Sequence, residues 1–95
     1  MEHSKAVEML SALAHDTRLS IYKLLVRQGP EGLAAGDIAK KLEVAAPTLS
    51  FHLSHLSNAG LIKSERQSRS IIYAANYDTM NQLLSYLTEQ CCQGD

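Results

Sequence analysis

The 95-residue sequence has few cysteines and prolines and no long apolar run. Its only cysteines are Cys91 and Cys92, and an adjacent pair near a chain end cannot build the crossed bridges of small secreted domains. No run approaches the roughly 20 apolar residues that cross a bilayer, and residues 1–13 lack the basic start and apolar core of a signal peptide. We therefore expect reduced thiols in a cytoplasmic protein with no membrane partner.

Catalytic motifs are also missing from the sequence. No acid, histidine and nucleophile form a recognisable pattern, and neither a glycine-rich phosphate loop nor paired metal-binding carboxylates occur. The nearest candidate is His15-Asp16, where capping of a helix by Asp16 is the better account, because its carboxylate can accept from exposed amides. The sequence therefore predicts a protein that is not an enzyme.

The apolar content suits a single domain, which we expect to span residues 1–95. Hydrophobic residues make up 45% of the chain, and no repeat or low-complexity segment divides it. Apolar spacing predicts a first helix over residues 4–13, a second from Asp16 that ends before a loop at 28–33, and a last over 77–89. The apolar faces of these helices are Val7, Leu10 and Leu13 in the first, Leu19, Ile21, Leu24 and Leu25 in the second, and Met80, Leu83, Leu84 and Leu87 in the last.

Residues 36–62 have the pattern of two short helices, a tight turn between them and a strand after them. The third helix of the chain starts at Gly36-Asp37, and Pro47 suits the first turn of the fourth. Gly60 can close the fourth helix in a left-handed conformation. This layout is typical of a helix-turn-helix whose second helix reads the major groove of DNA.

The fourth helix is amphipathic and carries the candidate DNA contacts. Its apolar stripe is formed by Leu49, Leu53 and Leu56. The other side chains, which this stripe turns outward, are Thr48, Ser50, Phe51, His52 and His55. Hydroxyls can bond to phosphates or base edges, an imidazole to guanine N7, and an aromatic ring can contact a thymine methyl. We expect Pro47 and these five residues to lie against DNA.

Other roles stay open for three of these residues. Phe51 could belong to the core instead, since periodicity does not fix its orientation. His52 and His55, three residues apart, could have a structural or capping role or bind a metal ion. Metal binding is disfavoured because no acid or cysteine is near them and a closed zinc site needs about four ligands.

A β-hairpin and a small positive zone follow the fourth helix. Residues 61–67 and 70–75 have strand patterns, with a tip near residues 67–69. Over residues 46–70 three bases, Lys63, Arg66 and Arg69, oppose one acid, although the net charge of the chain is −1. Positive charge on the candidate reading segment suits phosphate contact. We therefore expect these three bases to contact the DNA backbone or minor groove.

The order of these elements resembles the ArsR/SmtB family of winged helix-turn-helix repressors. LSALAHDTRLSIYKLL (10–25) resembles the family's entry helices, TLSFHLSHLSNAGLI (48–62) its recognition helix, and KSERQSRSIIYAA (63–75) its wing. The resemblance covers nearly the whole chain. It implies a mainly α fold with a small β-hairpin, in the order ααααββα, and a homodimer formed by the first and last helices. It also implies repression of an operator in double-stranded DNA until a metal or metalloid ion binds.

The residues themselves independently favour a homodimer. One reading helix buries too little surface for tight operator binding, and two-fold pairing doubles the contact. The apolar side chains in surplus on the terminal helices, which could form the interface, are Val7, Leu10, Leu83, Leu84 and Leu87. The alternative is that they only complete the core of each monomer.

Cys91 and Cys92 are the candidate ligands of an inducer. Thiolates bind soft ions, and trivalent arsenic or antimony favours three sulfur ligands, whereas zinc favours four tetrahedral ligands. Two thiols per protomer leave three arrangements open: a third ligand from solvent or a small thiol, a monosubstituted organoarsenical, or sharing across the dimer. By resemblance, the chain is similar to an arsenic-responsive branch with adjacent cysteines beyond the last helix. A further downstream cysteine, usual in that branch, is absent here.

The resemblance leads to a mechanism in which the inducer, bound at the end of a dimerising helix, changes the angle between protomers and releases the operator. Two alternatives stay open for the cysteines. They could be tail thiols without a ligand, or the same fold could be switched by thiol oxidation or by another ligand.

Overall fold

The computed structural model describes residues 1–94, which form five helices and one three-stranded antiparallel sheet. In chain order the elements are α1 (His3–Leu13), α2 (Asp16–Gln28), β1 (Leu33–Ala34), α3 (Ala35–Leu42), α4 (Ala46–Asn58), β2 (Ile62–Gln67), β3 (Ser70–Ala75) and α5 (Tyr77–Thr88). The mainly α winged helix-turn-helix fold is confirmed. The one addition to the expected order is the short strand β1.

β3 is the central strand of the sheet, with β1 on one side and β2 on the other. Leu33 of β1 pairs with Tyr73, and the hairpin closes at the Gln67–Ser70 pair. Gly32 permits the close approach of β1, because it has a φ of +70° and an added Cβ would lie 2.3 Å from the carbonyl oxygen of Tyr73. A two-residue strand is too short to show alternation, so the sequence did not indicate it.

One apolar core packs the helices against the base of the sheet. Its largest fully buried side chains are Met9, Ile21, Leu25, Ile38, Leu49, Leu53, Leu56, Leu61 and Leu83. The predicted apolar stripe of α4 is therefore confirmed. Burial of this stripe holds α4 on the core by one face and leaves its other face in solvent.

The apolar faces of α1 and α2 include side chains that the core does not bury, and one of them, Leu19, was predicted to be buried. The face that α1 buries is Ala6, Met9 and Ala12. Val7 and Leu10 are 49% and 41% exposed, so they are in surplus of the monomer core, and the alternative that they only complete it is wrong. Leu19 of α2 is also exposed, because residues two apart on a helix point to different sides and Ile21 takes the core position.

Two further predictions are corrected, one at the start of α2 and one within α5. Asp16 is not the N-cap of α2, since the N-cap is His15 and no side chain caps this helix; Asp16 lies in the first turn. In α5, Leu83 is buried in the monomer core, whereas Leu84 and Leu87 are exposed, so Leu83 does not belong to a surplus apolar face.

No helix within residues 1–94 has the length and apolar character that a membrane crossing requires.

Candidate nucleic-acid interface

A tight turn sets α4 against α3. Glu43, at the end of α3, has a left-handed φ of +55°, and the amide of Val44 donates to the carbonyl of Ala39 over 3.1 Å. Pro47 lies in the first turn of α4, as expected. No side chain caps α4, so its first free amides are available to acceptors outside the protein.

The outer face of α4 carries most of the predicted DNA contacts. Its exposed members are Pro47, Thr48, Ser50, Phe51 and His55. Phe51 is 59% exposed, so the alternative that it belongs to the core is wrong. Its ring meets the ring of His55 edge to face, with the centroids 4.6 Å apart. This face therefore presents two hydroxyls and a paired aromatic surface to solvent.

His52 does not belong to this outer face. It is only 6% exposed, and its ring lies 4.7 Å from the ring of His15, which precedes α2. The prediction that it turns outward to contact guanine is therefore wrong. Position 52 follows Leu49 by three residues and precedes Leu56 by four, so the helical spacing of the leucines includes it.

Burial decides the protonation state of His52. Removal of the ring from water lowers its pKa below the ordinary value, and electrostatic interaction with His15, Arg18 and His55 lowers the pKa further. Nδ1 of His52 is buried and has no hydrogen-bond partner. At neutral pH this imidazole is therefore a neutral core group beside the recognition helix's outer face.

The hairpin of β2 and β3 forms a positively charged wing. Its three bases, Lys63, Arg66 and Arg69, are exposed, and none makes an ion pair within residues 1–94. Direct partners in an antiparallel ladder share a face of the sheet, so Arg66 lies on the same face as Ile71. Lys63 lies on the opposite face with Glu65, because side chains alternate along a strand. Lys63 and Arg66 therefore lie on opposite faces of the wing.

A groove of about 360 Å³ joins the wing to α4. Its lining includes Ser50 of α4, Arg69 at the wing tip and Ile71 of β3. Ile71 shares its face with Arg66, so this face of the wing is the one turned to α4. The structure therefore brings Ser50, Arg66 and Arg69 to one side of the molecule, whereas Lys63 lines a different cavity behind the sheet.

The positive charge of α2 beside α4 was not evident from the sequence. Arg18 is near enough to His52 for its charge to lower the pKa of that ring, and His15 packs on the same ring. Residues 1–45 balance six acids against six bases, so a count of charge along the chain does not reveal Arg18. Packing between helices, rather than sequence order, brings it there.

Cys91 and Cys92 lie just beyond α5, and both are exposed with free thiols. Their Sγ atoms are 2.9 Å apart, and the hydrogen bond that the protonated Cys91 thiol shares with Cys92 raises the pKa of Cys91. Within residues 1–94 no three histidine, cysteine, aspartate or glutamate side chains are grouped to hold a metal ion. One protomer therefore presents two sulfur ligands here and no third protein donor.

Several known proteins are similar to this chain in sequence and in fold. A helix-turn-helix domain family matches residues 13–65. The chain is 31% identical to the transcriptional repressor SdpR of Bacillus subtilis over 85% of this chain and 91% of that protein, and 27% identical to the transcriptional activator HlyU of Vibrio cholerae over 97% and 82%. It superposes on an ArsR-like transcriptional regulator from Rhodococcus sp. RHA1 with a TM-score of 0.79 and 27% identity, over 90% of this chain and 77% of the other. The chain therefore belongs to the ArsR family of winged helix-turn-helix transcriptional regulators.

Proposed function

We propose that this regulator is a cytoplasmic homodimeric repressor that leaves its operator when trivalent arsenic or antimony binds Cys91 and Cys92. The observation that carries the DNA-binding part is the outer face of α4, where Thr48, Ser50, Phe51 and His55 are exposed next to an arginine-bearing wing. A major groove about 12 Å wide admits one helix, and the adjacent wing then reaches the neighbouring backbone or minor groove.

Each part of this surface has a distinct role in the proposed complex. Thr48 and Ser50 bond to phosphates or base edges, while Phe51 contacts a thymine methyl with His55 against its ring. Pro47 and the uncapped amides of the first turn lie close to a phosphate. Arg66 and Arg69 add salt-dependent affinity from the wing, and Lys63 adds positive charge behind it.

The proposed dimer uses the apolar side chains that the monomer leaves in solvent. Those on the terminal helices are Val7 and Leu10 of α1 and Leu84 and Leu87 of α5. Exposed leucines and valines on two helices give the apolar centre that homodimer interfaces share. A two-fold pairing would place two α4 helices to read two half-sites of an operator.

Two adjacent thiols suit trivalent arsenic compounds with one organic group. Each Sγ would form a bond to arsenic in place of a hydroxide, and the two thiol protons would leave with the two hydroxides as water. The carbon substituent remains as the third ligand, so the shortage of a third donor within residues 1–94 is no obstacle. Arsenite and antimonite would take their third ligand from solvent, from a small thiol or from the partner subunit.

Ligand binding would act on the dimer through α5. Cys91 follows the end of α5 at Thr88 and is four residues beyond the exposed Leu87 of the proposed interface. Closing a ring at this point alters the packing of α5 against its copy, and so the spacing of the two α4 helices. A coupling of about 1–3 kcal/mol changes operator affinity roughly 5- to 150-fold.

Relatives of this chain include both a transcriptional repressor, SdpR, and a transcriptional activator, HlyU. We assign repression to this chain, which makes the position of the operator a test. A footprint that overlaps the transcription start of a regulated gene agrees with repression. A footprint upstream of the polymerase site, with lower transcription when the regulator is deleted, contradicts it.

DNA binding is tested by fluorescence anisotropy of the reduced protein on the DNA upstream of its own coding sequence. Ser50→Ala and Phe51→Ala should each weaken binding by about tenfold, since a good base contact contributes about 1–3 kcal/mol of discrimination. Ser57→Ala, exposed at the far end of the same helix, is the matched control. Equal affinity for all four proteins, or no binding by the wild type, would contradict the proposed interface.

Ligand binding is tested separately by mass spectrometry of the native protein with phenylarsenite. We expect one phenylarsenic group per protomer, with loss of the two thiol protons. Cys91→Ser combined with Cys92→Ser should take up none, and Ser85→Ala, on the exposed surface of α5, should behave as the wild type. Uptake by the double variant would show that these thiols are not the site.

A further inference from the structure

Three positively charged or protonatable side chains meet where the start of α2 packs on α4. His15 precedes α2, and its ring lies 4.7 Å from the ring of His52. Arg18 follows His15 by three residues, which places it on the same side of α2 one turn later. We refer to His15, Arg18 and His52 as the rim cluster, because it lies at the border between the core and the outer face of α4.

The rim cluster has hydrogen-bonding capacity that the protein does not use. Nε of Arg18 and Nδ1 of His52 are both buried and have no partner, and His52 is 6% exposed. Buried polar atoms in folded proteins are nearly always paired, so these two unpaired atoms show that residues 1–94 supply the cluster with no acceptor of the protein's own. No hydrogen bond within residues 1–94 holds the terminal nitrogens of Arg18 either.

Its positive charge is also unbalanced. The ion pair found within residues 1–94 joins Lys5 to Glu8, on α1, and no carboxylate pairs with Arg18. No side chain caps α2, so the positive end of that helix adds to the field of the guanidinium. A partly buried cation without a counter-charge is complementary to an anion that comes from outside the protein.

The location of the cluster indicates which anion this is. Phe51, the residue before His52, is exposed on the outer face of α4, and its ring lies 5.7 Å from the ring of His52. A duplex that receives α4 in its major groove has sugar–phosphate backbones along both sides of that helix. The backbone on the α2 side would therefore pass the rim cluster.

We propose that Arg18 donates to a phosphate of the operator backbone beside the groove that α4 enters, with the His15–His52 ring pair holding the start of α2 in place. The proposal depends on the proposed function, because it assumes that α4 reads the major groove. In this proposal α2, through Arg18, is a third part of the protein that contacts DNA, besides α4 and the wing. A planar guanidinium with free terminal nitrogens suits a phosphate, whereas a phosphate contact carries no sequence information by itself.

The test measures affinity and its salt dependence for the wild type, Arg18→Gln, Arg18→Lys and the matched control Arg27→Gln. Arg27 is exposed in the last turn of α2, far from the rim cluster. Arg18→Gln should weaken binding to specific and random DNA alike by about tenfold. It should also reduce the slope of log K against log salt by about two, one for each protomer of the dimer. Arg18→Lys should keep most of the slope, and Arg27→Gln should keep the wild-type values.

Neutral methylphosphonate linkages then locate the contact. Replacing single phosphates along the operator flank should identify one position at which the wild type loses affinity and Arg18→Gln loses nothing further. Thermal unfolding of each variant shows whether a variant that binds DNA weakly is still folded. An unchanged salt slope for a folded Arg18→Gln, or equal losses at every linkage in both proteins, would overturn the proposal. Absence of DNA binding by the wild type would instead contradict the proposed function.

Discussion

Nδ1 of His3 lies 2.6 Å from the hydroxyl oxygen of Tyr86, so a hydrogen bond joins the first helix to the last. Their rings also meet edge to face, with the centroids 6.0 Å apart. The two residues are 83 positions apart in the chain and belong to the two helices that carry the proposed dimer faces. The bond therefore helps to set how the exposed residues of α1 and α5 lie relative to each other.

Removal of this bond should loosen α5. Tyr86→Phe keeps the ring and deletes the hydroxyl, and we expect a loss of about 0.5–1.5 kcal/mol in the free energy of unfolding. Amide exchange near the end of α5 should be faster as well. Urea unfolding with exchange measurements checks both effects, and Tyr73→Phe, outside the α1–α5 contact, is the control. No change in Tyr86→Phe would mean that the bond does not hold the helices.

The exposed apolar face of α5 should be required for dimerisation. Leu84→Glu places a charge at a position that is 52% exposed in the monomer, so the monomer should still fold, but burial of that charge in an interface is costly. Sedimentation analysis should find a monomer, with operator affinity reduced at least about 100-fold. Val26→Glu, at an exposed position of α2, is the control and should remain a dimer. A dimeric Leu84→Glu variant would place the interface elsewhere.

Acid should destabilise the protein through His52. Its pKa in the folded state lies below the ordinary value of about 6.5, which the unfolded chain keeps. As the pH falls below about 6.5, the unfolded state therefore binds a proton that the folded state does not, and stability decreases until the folded-state pKa is also passed. As the pH is lowered from 8 to 5, the melting temperature should fall less steeply for His52→Leu than for the wild type. His55→Gln should keep most of the acid-induced loss of stability, because His55 contributes least to the lowered pKa of His52.

The features that sequence could predict were those governed by one element's own periodicity. Leu49, Leu53 and Leu56 repeat at helical spacing, so the buried side of α4 was predictable, and Gly60 has the left-handed φ of +78° expected at its end. His52 shares the same spacing, but its burial depends on His15 from another helix. The spacing alone therefore allowed a buried position 52, and only the packed structure shows that His15 lies against the ring.

The same distinction explains why the core face of α1 and the short strand β1 were not predicted. Val7 and Leu10 form an apolar face as regular as Ala6 and Met9, and which of the two faces the core depends on how α2 and α4 pack on α1. β1 exists because Gly32 lets the backbone approach Tyr73, which is a contact over 41 residues. Pattern analysis identified the candidate surface, while the assignment of individual residues to it required the packed structure.

The two wing arginines should contribute more to DNA binding than Lys63. Arg66 shares its sheet face with Ile71, which lines the groove next to α4, and Arg69 lines the same groove. Arg66→Gln with Arg69→Gln should reduce the slope of log K against log salt by about two per protomer, because each phosphate contact adds about one. Lys63→Gln, behind the sheet, should have a smaller effect. A larger effect of Lys63→Gln would reverse the assigned face of the wing.

In the proposed mechanism a ligand bound to the cysteine pair releases the operator, and this release can be measured directly. Fluorescence anisotropy of the reduced protein on its own upstream DNA is followed while phenylarsenite, arsenite, antimonite or zinc is added. We predict release by trivalent arsenic or antimony, no release by zinc, and no release from the variant with Cys91→Ser and Cys92→Ser. Operator binding that no ion alters, or release that persists in the double serine variant, would contradict the account.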